Sequence, residues 1–248
     1  MSNKTILILF SGAGLSAESG IPTFRDSNGL WENHRIEDVA SPEGWKRNPN
    51  LVLDFYSRRF EKLQNVKPNR AHYAIAELQE KYEVINITQN IDNLLEQAGS
   101  KTVWHLHGEL TKAKCEWHYE IFGFNPHFRC TFKKEISSPD EYEKECPLCG
   151  GKLRPDVVWF GEAVDMKTGE LEKLKESASI FIGVGTSAQV YPAAGLISYF
   201  SNLPQKFFID KNPAFESLRG FEVLQGLASE MLPKLANELL DRSNLSRT

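Results

Sequence analysis

Residues 5–25 read TILILFSGAGLSAESGIPTFR, an apolar run that ends in a glycine-rich turn. The run predicts a buried strand, and the residues behind the turn are predicted to form a helix. Gly12, Gly14 and Ala17 fit the pattern G-x-G-x-x-G/A. Its first residue permits a tight turn, its second lets a pyrophosphate approach the backbone, and its third allows close helix–strand packing. The stretch therefore predicts a phosphate cradle at a helix N-terminus.

Length, charge and composition exclude several classes of function. The chain has 248 residues and a formal net charge of −4, with acidic and basic residues mixed along it. No nucleic-acid partner is expected, because binding by counterion release needs a basic stripe. The apolar run 6–10 is too short to span a bilayer and does not end in a signal-peptide cleavage pattern. We expect a soluble cytoplasmic monomer with no membrane partner.

Short apolar and β-branched runs recur along the chain and are separated by segments of helical spacing. Strands that alternate with helices in this way predict an α/β fold with a Rossmann-like, doubly wound parallel sheet. Such a sheet binds its ligands at the carboxyl ends of its strands. The predicted strands are residues 5–10, 83–88, 102–106, 180–184 and 207–210.

Two regions interrupt this alternation. Residues 26–80 are mostly helical and lack a convincing strand, while residues 114–154 hold all four cysteines, a Gly-Gly pair and no helical period. We expect the two regions to form a smaller inserted part, helical over 26–80 and a zinc ribbon over 114–154. The larger part of this single domain, 1–248, then comprises residues 1–25, 81–113 and 155–248.

The clustered cysteines point to a metal more than to disulfides, because disulfides are rare in chains that are not secreted. Cys146 and Cys149 form a tight C-x2-C knuckle of the kind that grips zinc. The other two ligands of the site are less regular. His118 stands where a second C-x2-C pair would place the partner of Cys115, and Cys130 stands further along the chain. Four cysteines, which we favour, or three cysteines with His118 can complete a closed structural site. The remaining alternative is a set of buried thiols without metal.

Polar residues follow the predicted strands, where an α/β sheet places its active site. His107 follows the strand 102–106, and an ordinary pKa of ~6.5 lets it accept a proton at neutral pH. Gln89, Asn90 and Asp92 follow the preceding strand, although Asp92 also suits a helix N-cap. Two further strands are followed or ended by Gly185, Thr186, Ser187 and Asp210.

Four motifs, taken together and in this order, closely resemble those of the sirtuin family of NAD-dependent protein deacylases. They are SGIPTFR at 19–25, TQNID at 88–92, HGEL at 107–110 and GTS at 185–187. The resemblance extends from about residue 6 to about residue 240. It implies NAD as cofactor and acylated lysine side chains of proteins as partners.

The resemblance also implies the catalytic roles. His107 matches the family's general base, which leaves the nearby His105 with a structural role. Gln89 is implied to orient the ribose, Asn90 the water or a ribose hydroxyl, and Asp92 the carboxamide of nicotinamide. In that family, the acyl oxygen of an acyl-lysine attacks C1′ of the nicotinamide ribose, and nicotinamide leaves. The histidine then activates a ribose hydroxyl that attacks the resulting imidate, and water completes the transfer. The products are free lysine, nicotinamide and 2′-O-acyl-ADP-ribose.

Further cofactor contacts are carried over in the same way. Ala13 is implied to line the cofactor site, Phe24 to screen the reactive ribose from water, and Arg25 to lie beside the phosphates. Ser187 offers a second phosphate contact, and Asp210 can accept from a ribose hydroxyl. A carboxylate at that position repels a 2′-phosphate, which favours NAD over NADP. The implied cofactor set also includes Gly12, Gly14, Ala17, Gly185 and Thr186.

Acyl specificity is predicted from Tyr56 and Arg59, which stand three apart in a helical run and share a face. A phenol and a guanidinium in an otherwise apolar tunnel can bind a carboxylate. The Y-x-x-R pattern resembles the mark of class III sirtuins. It implies removal of succinyl or malonyl groups with some deacetylation.

A second apolar run follows Pro155 and predicts a core strand. The resemblance implies that this segment pairs with the substrate backbone as an added strand, a mode in which main-chain bonds supply the affinity. Its residues are Val157, Val158, Trp159 and Phe160.

The sequence thus predicts a bacterial-type class III sirtuin. One alternative is a mono-ADP-ribosyltransferase or NAD glycohydrolase on the same fold, which would consume NAD without an acyl-peptide. The other is a non-catalytic NAD-sensing module. His107 beside Asn90 and Asp92 argues against the module, because binding alone requires no base near the ribose.

Overall fold

Strand β1 (Thr5–Ser11) sets the layers of the fold through its alternating side chains. The computed structural model describes residues 4–23, 30–31, 33–117, 130–187 and 191–245. In it, Leu7 and Leu9 pack into one apolar cluster, whereas Ile8 and Phe10 pack into another. Successive side chains of a strand point to opposite faces, so a strand covered on both faces is apolar at each position. β1 therefore lies in the middle layer of three.

The strands that follow β1 in the described residues form one large sheet, one small sheet and one short hairpin. They are β2 (Leu30–Trp31), β3 (His34–Arg35), β4 (Tyr82–Thr88), β5 (Val103–His105), β6 (Gly108–Cys115), β7 (Lys133–Glu135), β8 (Leu153–Val157), β9 (Ala178–Val184), β10 (Gln205–Asp210) and β11 (Glu222–Gln225). The large sheet has the order β11–β10–β9–β1–β4–β5, and all its neighbouring strands are parallel. The five predicted strands are all present, and β11 is an additional edge strand.

Helices cover both faces of the large sheet, which confirms the predicted α/β, doubly wound class. They are α1 (Ile36–Val39), α2 (Pro42–Arg47), α3 (Pro49–Gln64), α4 (Arg70–Leu78), α5 (Leu94–Gln97), α6 (Thr168–Ser177), α7 (Gly195–Tyr199) and α8 (Ala228–Leu245). α4 and α8 pack on the face of Leu7, and α6 and α7 on the face of Ile8. Of the helices in these ranges, none combines the length and the apolar character that crossing a bilayer requires.

The smaller sheet has the antiparallel order β7–β6–β8 and spans residues 108–157. It shares a core with α3, whose buried residues include Phe55 and Phe60. The expectation that residues 26–80 contain no strand is wrong, because β2 and β3 pair as a short antiparallel hairpin. α4 also falls within 26–80, yet it packs on the large sheet. The division into a larger and a smaller part stays a prediction.

The helix predicted behind the glycine turn is not an α-helix. Two short 3-10 helices, Ala13–Leu15 and Ala17–Ser19, take its place. Gly20 ends the second one in a left-handed conformation with φ of 94°. Because an α-helix is missing here, the predicted anion site at an α-helix N-terminus is not formed by these residues.

Candidate active site

One cleft of about 720 Å³ lies at the carboxyl ends of the central strands. We call its two sides the sheet wall and the helix wall. The sheet wall consists of residues 12–14, 16–17, 89–92, 107, 185–187 and 210, and the helix wall consists of Trp31, Tyr56, Arg59 and Trp159. Phe24 and Arg25 lie outside the described residues. The other predicted catalytic, cofactor and substrate residues all line this cleft: Gly12, Ala13, Gly14, Ala17, Tyr56, Arg59, Gln89, Asn90, Asp92, His107, Val157, Val158, Trp159, Phe160, Gly185, Thr186, Ser187 and Asp210.

Strand register brings the loops of the sheet wall together. Ser11, at the end of β1, pairs with Thr88 on one side and with Val184 on the other. The residues that follow these three strand ends are therefore level with one another at one edge of the sheet. Ligands of parallel α/β sheets bind at this edge.

The glycine turn packs backbone to backbone against the loop at Gly185. The amide of Gly14 donates to the carbonyl of Gly185 at 2.8 Å. A Cβ on Gly14 would lie 2.6 Å from the Cα of Gly185, which itself adopts a φ of +59°. The close contact with the loop at Gly185 therefore requires a glycine at position 14. This requirement is separate from the approach of a pyrophosphate, which is the reason that the sequence pattern gives.

His107 lies in the turn between β5 and β6. Its Nδ1 lies 3.0 Å from the carbonyl oxygen of Gln89. A carbonyl can only accept, so Nδ1–H is the donor and Nε2 is the proton acceptor of the neutral ring. Burial lowers the pKa of His107, although the Gln89 hydrogen bond opposes the shift. The residue is therefore neutral at physiological pH and suited to act as a general base.

His105, two residues earlier, has a different environment. Its Nδ1 lies 2.8 Å from the carbonyl oxygen of Asn90, and its Nε2 lies 2.8 Å from Oε1 of Glu96. Burial lowers the pKa of His105, but the hydrogen bond and charge of Glu96 outweigh burial and raise it overall. Both ring nitrogens act as donors within the protein. This geometry supports a structural role that fixes the backbone of Asn90.

Gln89 and Asn90 tie the loops of the sheet wall to each other. Nε2 of Gln89 donates to Oγ1 of Thr186 at 2.8 Å. Nδ2 of Asn90 donates to the carbonyl of Gly12 at 3.1 Å and to Oγ of Ser16 at 3.2 Å. Amides that follow β4 thus hold the loops that follow β1 and β9 in place.

Asp92 combines the two roles that the sequence offers for it. One carboxylate oxygen accepts from the backbone N–H of Leu94 at 3.1 Å, at the start of α5. The residue also lines the cleft. Burial raises the pKa of Asp92, while hydrogen bonds from Leu94 and the Ser16 hydroxyl lower it.

The helix wall holds a buried phenol and a buried guanidinium on one face of α3. Nε1 of Trp159 donates to the hydroxyl oxygen of Tyr56 at 3.2 Å. Burial raises the pKa of Tyr56 to about 12, so the phenol keeps a proton that it can donate. The guanidinium carbon of Arg59 lies 4.1 Å from the ring centre of Trp31. An apolar pocket with one fixed cation and one hydroxyl donor suits an anionic group.

The segment that follows β8 lies along the cleft. Val157 and Trp159 are buried, whereas Phe160 is exposed. The backbone N–H groups of Val158 and Phe160 donate to the carbonyls of His107 and Ala40, and that of Trp159 donates to Glu162. The backbone N–H groups of residues 158–160 are therefore all engaged within the protein.

The four cysteines converge at the end of β6. Their sulfur atoms lie within 4.8 Å of one another, and two pairs, Cys115 with Cys149 and Cys130 with Cys146, are 3.5 Å apart. Four thiolates around one zinc ion, with Zn–S bonds of about 2.3 Å, would have sulfur atoms about 3.8 Å apart. The favoured four-cysteine set therefore fits zinc, and His118 lies outside the described residues.

A protein-family model described as the Sir2 family matches residues 12–192, which is more than half of the chain. The chain belongs to the Sir2 family. A similar protein is the NAD-dependent protein deacylase of Bacteroides thetaiotaomicron, which is 45% identical over 239 residues. That alignment covers 94% of this chain and 97% of the relative.

Solved Sir2 structures share the fold over nearly the whole chain. The complex of a Sir2 homologue with NAD is 34% identical, with a TM-score of 0.81, and the match covers 97% of this chain and 91% of that one. A Sir2 complex with the inhibitor EX-527, 2′-O-acetyl-ADP-ribose and a deacetylated p53 peptide is 27% identical, with a TM-score of 0.73. That match covers 95% of this chain and 94% of the other.

The sequence analysis missed several residues of this Sir2 site. Ser16 bonds Asn90, and Glu96 holds His105. Trp31 stacks on Arg59 through a tertiary contact that no local pattern signals. The pair Asn69 and His72 carried a usable signal, because an asparagine followed three residues later by a polar side chain resembles a helix capping box.

Proposed function

We propose that this chain is an NAD-dependent protein-lysine deacylase that transfers the acyl group to ADP-ribose. The observation that carries the proposal is His107, a half-buried neutral imidazole whose Nε2 accepts protons in the cleft that also holds the glycine loops and the Tyr56–Arg59 pair. When bound, NAD would supply an electrophilic ribose carbon and nicotinamide as the leaving group. One water is consumed with the acyl-lysine and NAD, and the products are free lysine, nicotinamide and 2′-O-acyl-ADP-ribose.

His107 is the general base of this proposal. The Gln89 carbonyl holds Nδ1–H, which fixes the tautomer and leaves Nε2 to take a proton from a ribose hydroxyl. The same carbonyl stabilises the imidazolium that forms. The imidazolium then gives this proton to the lysine nitrogen as that nitrogen leaves the acyl carbon, so no separate acid is needed.

The sheet wall binds and orients the cofactor. Gln89 orients the ribose, Asn90 the water or ribose hydroxyl, and Asp92 the nicotinamide carboxamide. Ser187 contacts phosphate and Asp210 the adenosine ribose, which favours NAD over NADP. Phe24 and Arg25 keep the roles that the family resemblance implies, as a water screen and a phosphate contact.

The acyl preference of the proposal is for succinyl and malonyl groups, with some deacetylation. Tyr56 and Arg59 supply a hydroxyl donor and a cation in the helix wall, where little water competes for a carboxylate. An acetyl group has no such carboxylate and gains only the apolar contacts. Charge complementarity therefore favours succinyl and malonyl groups over acetyl.

The four cysteines hold a structural zinc ion in this proposal. A closed four-thiolate site leaves no position for water or substrate, so the metal takes no part in the chemistry. The proposed partners are acylated lysines of proteins, bound along residues 157–160. We further propose a cytoplasmic monomer that has no nucleic-acid or membrane partner.

Mass spectrometry of the reaction products tests the proposal and its rivals. The protein is incubated with NAD and with acetyl-lysine, succinyl-lysine or unmodified lysine peptides. We expect O-acyl-ADP-ribose only where an acylated peptide is present. Nicotinamide release without an acylated peptide would instead indicate an ADP-ribosyltransferase or glycohydrolase, and intact NAD in every reaction would indicate a binding module.

A further inference from the structure

A buried histidine outside the cleft reaches the sheet wall from behind. His72 lies in the first turn of α4, is fully buried, and does not line the cleft. Its Nε2 lies 3.5 Å from Oγ of Ser16, which contacts the cleft residue Asn90. Burial lowers the pKa of His72 to about 4, so the ring is neutral at physiological pH.

The hydrogen bonds of His72 fix its tautomer. The backbone N–H of Asn69 points at Nδ1 of His72 at 3.2 Å. An amide N–H can only donate, so Nδ1 is the acceptor and the neutral ring carries its proton on Nε2. Nε2–H is therefore the donor towards Ser16.

The direction of that bond determines what the Ser16 hydroxyl can do. Its oxygen receives Nε2–H of His72 and an amide hydrogen of Asn90. A serine hydroxyl has two acceptor lone pairs and one hydrogen. With both lone pairs engaged, the hydroxyl is held in place and its hydrogen is left to donate, which agrees with the lowering of the Asp92 pKa by the Ser16 side chain.

We propose that His72 is a positioning residue for the NAD site, which acts through Ser16 to orient Asn90. The inference rests on the proposed function for its catalytic consequence but not for its binding consequence. Loss of the Nε2–H donor removes one of the partners that hold the Ser16 hydroxyl in place. Asn90 then keeps its bond to the Gly12 carbonyl but loses a fixed partner in Ser16, while the helix wall is unchanged.

His72 also has a purely structural task, and two substitutions separate the tasks. Its Nδ1 caps α4 by accepting from Asn69. In His72→Asn, the side-chain oxygen can replace Nδ1, but nothing reaches Ser16. In His72→Gln, the longer amide places an N–H donor near the position of Nε2, but the cap is lost. His72→Asn therefore keeps the helix cap and loses the donor towards Ser16, whereas His72→Gln keeps the donor and loses the cap.

Titration of NAD binding, thermal unfolding and steady-state kinetics of both variants test the inference. We expect His72→Asn to weaken NAD binding and raise the KM for NAD about tenfold, with the KM for acyl-peptide unchanged. His72→Gln should stay within about threefold of the original protein in NAD binding, yet unfold at the lower temperature of the two. The double variant of His72→Asn with Ser16→Ala should bind NAD no more weakly than Ser16→Ala alone, because the two substitutions remove the same interaction.

Equal NAD affinities of the two variants, or additive losses in the double variant, would overturn the inference. The inference would also be overturned if the variant with the lower unfolding temperature bound NAD more weakly. NAD binding would then depend only on the role of His72 as a helix cap. If the unmodified protein binds NAD but forms no acyl-ADP-ribose, the proposed deacylase function fails. The binding titrations still decide the role of His72 in that case.

Discussion

The sheet wall and the helix wall of the cleft are built in different ways. The sheet wall is fixed by backbone contacts, such as the approach of Gly14 to Gly185, and by side-chain amides that bridge loops. The helix wall consists of large side chains from α3 and its neighbours, with Arg59 stacked on Trp31. A wall made of backbone tolerates few substitutions, whereas a wall made of side chains can change its chemistry one residue at a time. We infer that the first wall determines the reaction and the second determines the acyl group.

The largest expected effect comes from removal of the base in the sheet wall. His107→Ala should lower the rate of deacylation about 10²- to 10⁴-fold, and equally for acetyl and succinyl peptides, because the base acts on the ribose and not on the acyl group. Steady-state rates with both peptides measure this effect. A loss confined to one acyl group would contradict the separation of the two walls.

The second largest effect is expected from removal of a zinc ligand, which should lower the stability of the fold. Cys115 ends β6, whose first residue follows His107, so the metal site anchors the sheet that borders both walls. Cys130→Ser should abolish stoichiometric zinc and lower the unfolding temperature by about 10 °C, because structural zinc supplies folding free energy. Metal analysis and thermal unfolding check both effects. His118→Ala is the matched control and should retain zinc; loss of zinc in His118→Ala but not in Cys130→Ser would refute the four-cysteine site.

A substitution in the helix wall should affect one acyl group only. Arg59→Met keeps much of the apolar stem but removes the cation, so kcat/KM for a succinyl peptide should fall about 10- to 100-fold. The value for an acetyl peptide should change less than about threefold. Arg58→Met is the control, because Arg58 is exposed and pairs with Asp54. An equal loss for both peptides in Arg59→Met would contradict the assigned specificity.

The smallest effect concerns the pair His105 and Glu96 beneath the sheet wall. The folded pKa of His105 is raised and that of Glu96 is lowered, so their mutual stabilisation is complete between the unfolded values, at about pH 4.5 to 6.5. It is lost as pH rises through the folded pKa of His105 and as pH falls through that of Glu96. Glu96→Gln should therefore reduce the free energy of unfolding by less than about 1 kcal/mol, since Glu96 is partly exposed and screened.

Chemical denaturation of Glu96→Gln at several pH values checks this sign. The difference from the unmodified protein should be greatest near pH 6 and should shrink well above it. If the difference in the free energy of unfolding instead grew steadily with pH, Glu96 would not be stabilising the protonated form of His105. Activity should change little, because the amide oxygen introduced by Glu96→Gln can still accept from His105.

The large sheet could be predicted from the sequence because its strands are apolar on both faces and end in polar motifs. β1 and β4 illustrate this, and the residues after them line the cleft as expected. The helix behind the glycines was predicted wrongly, because tertiary hydrogen bonds of Ser16 and the left-handed Gly20 outweigh local helical spacing. The β2–β3 hairpin has only two residues in each strand, too few for a period to be visible.

Within the site, sequence patterns identified many of the residues that line the cleft but missed Ser16 and Trp31, and they identified few of the residues that hold the lining in place. His107 and Arg59 stand in recognisable motifs. Glu96, Trp31 and His72 act through tertiary contacts that local spacing does not encode, and the spacing of Asn69 and His72 signals only the helix cap and not the contact with Ser16.

Counting two products in the same reaction tests the central claim most directly. Nicotinamide and deacylated succinyl-lysine peptide are quantified together over time, with parallel reactions that lack NAD or the peptide. We predict equal molar amounts of the two products, and neither product when one reactant is withheld. Deacylated peptide formed without NAD, or nicotinamide formed in excess of it, would contradict the account.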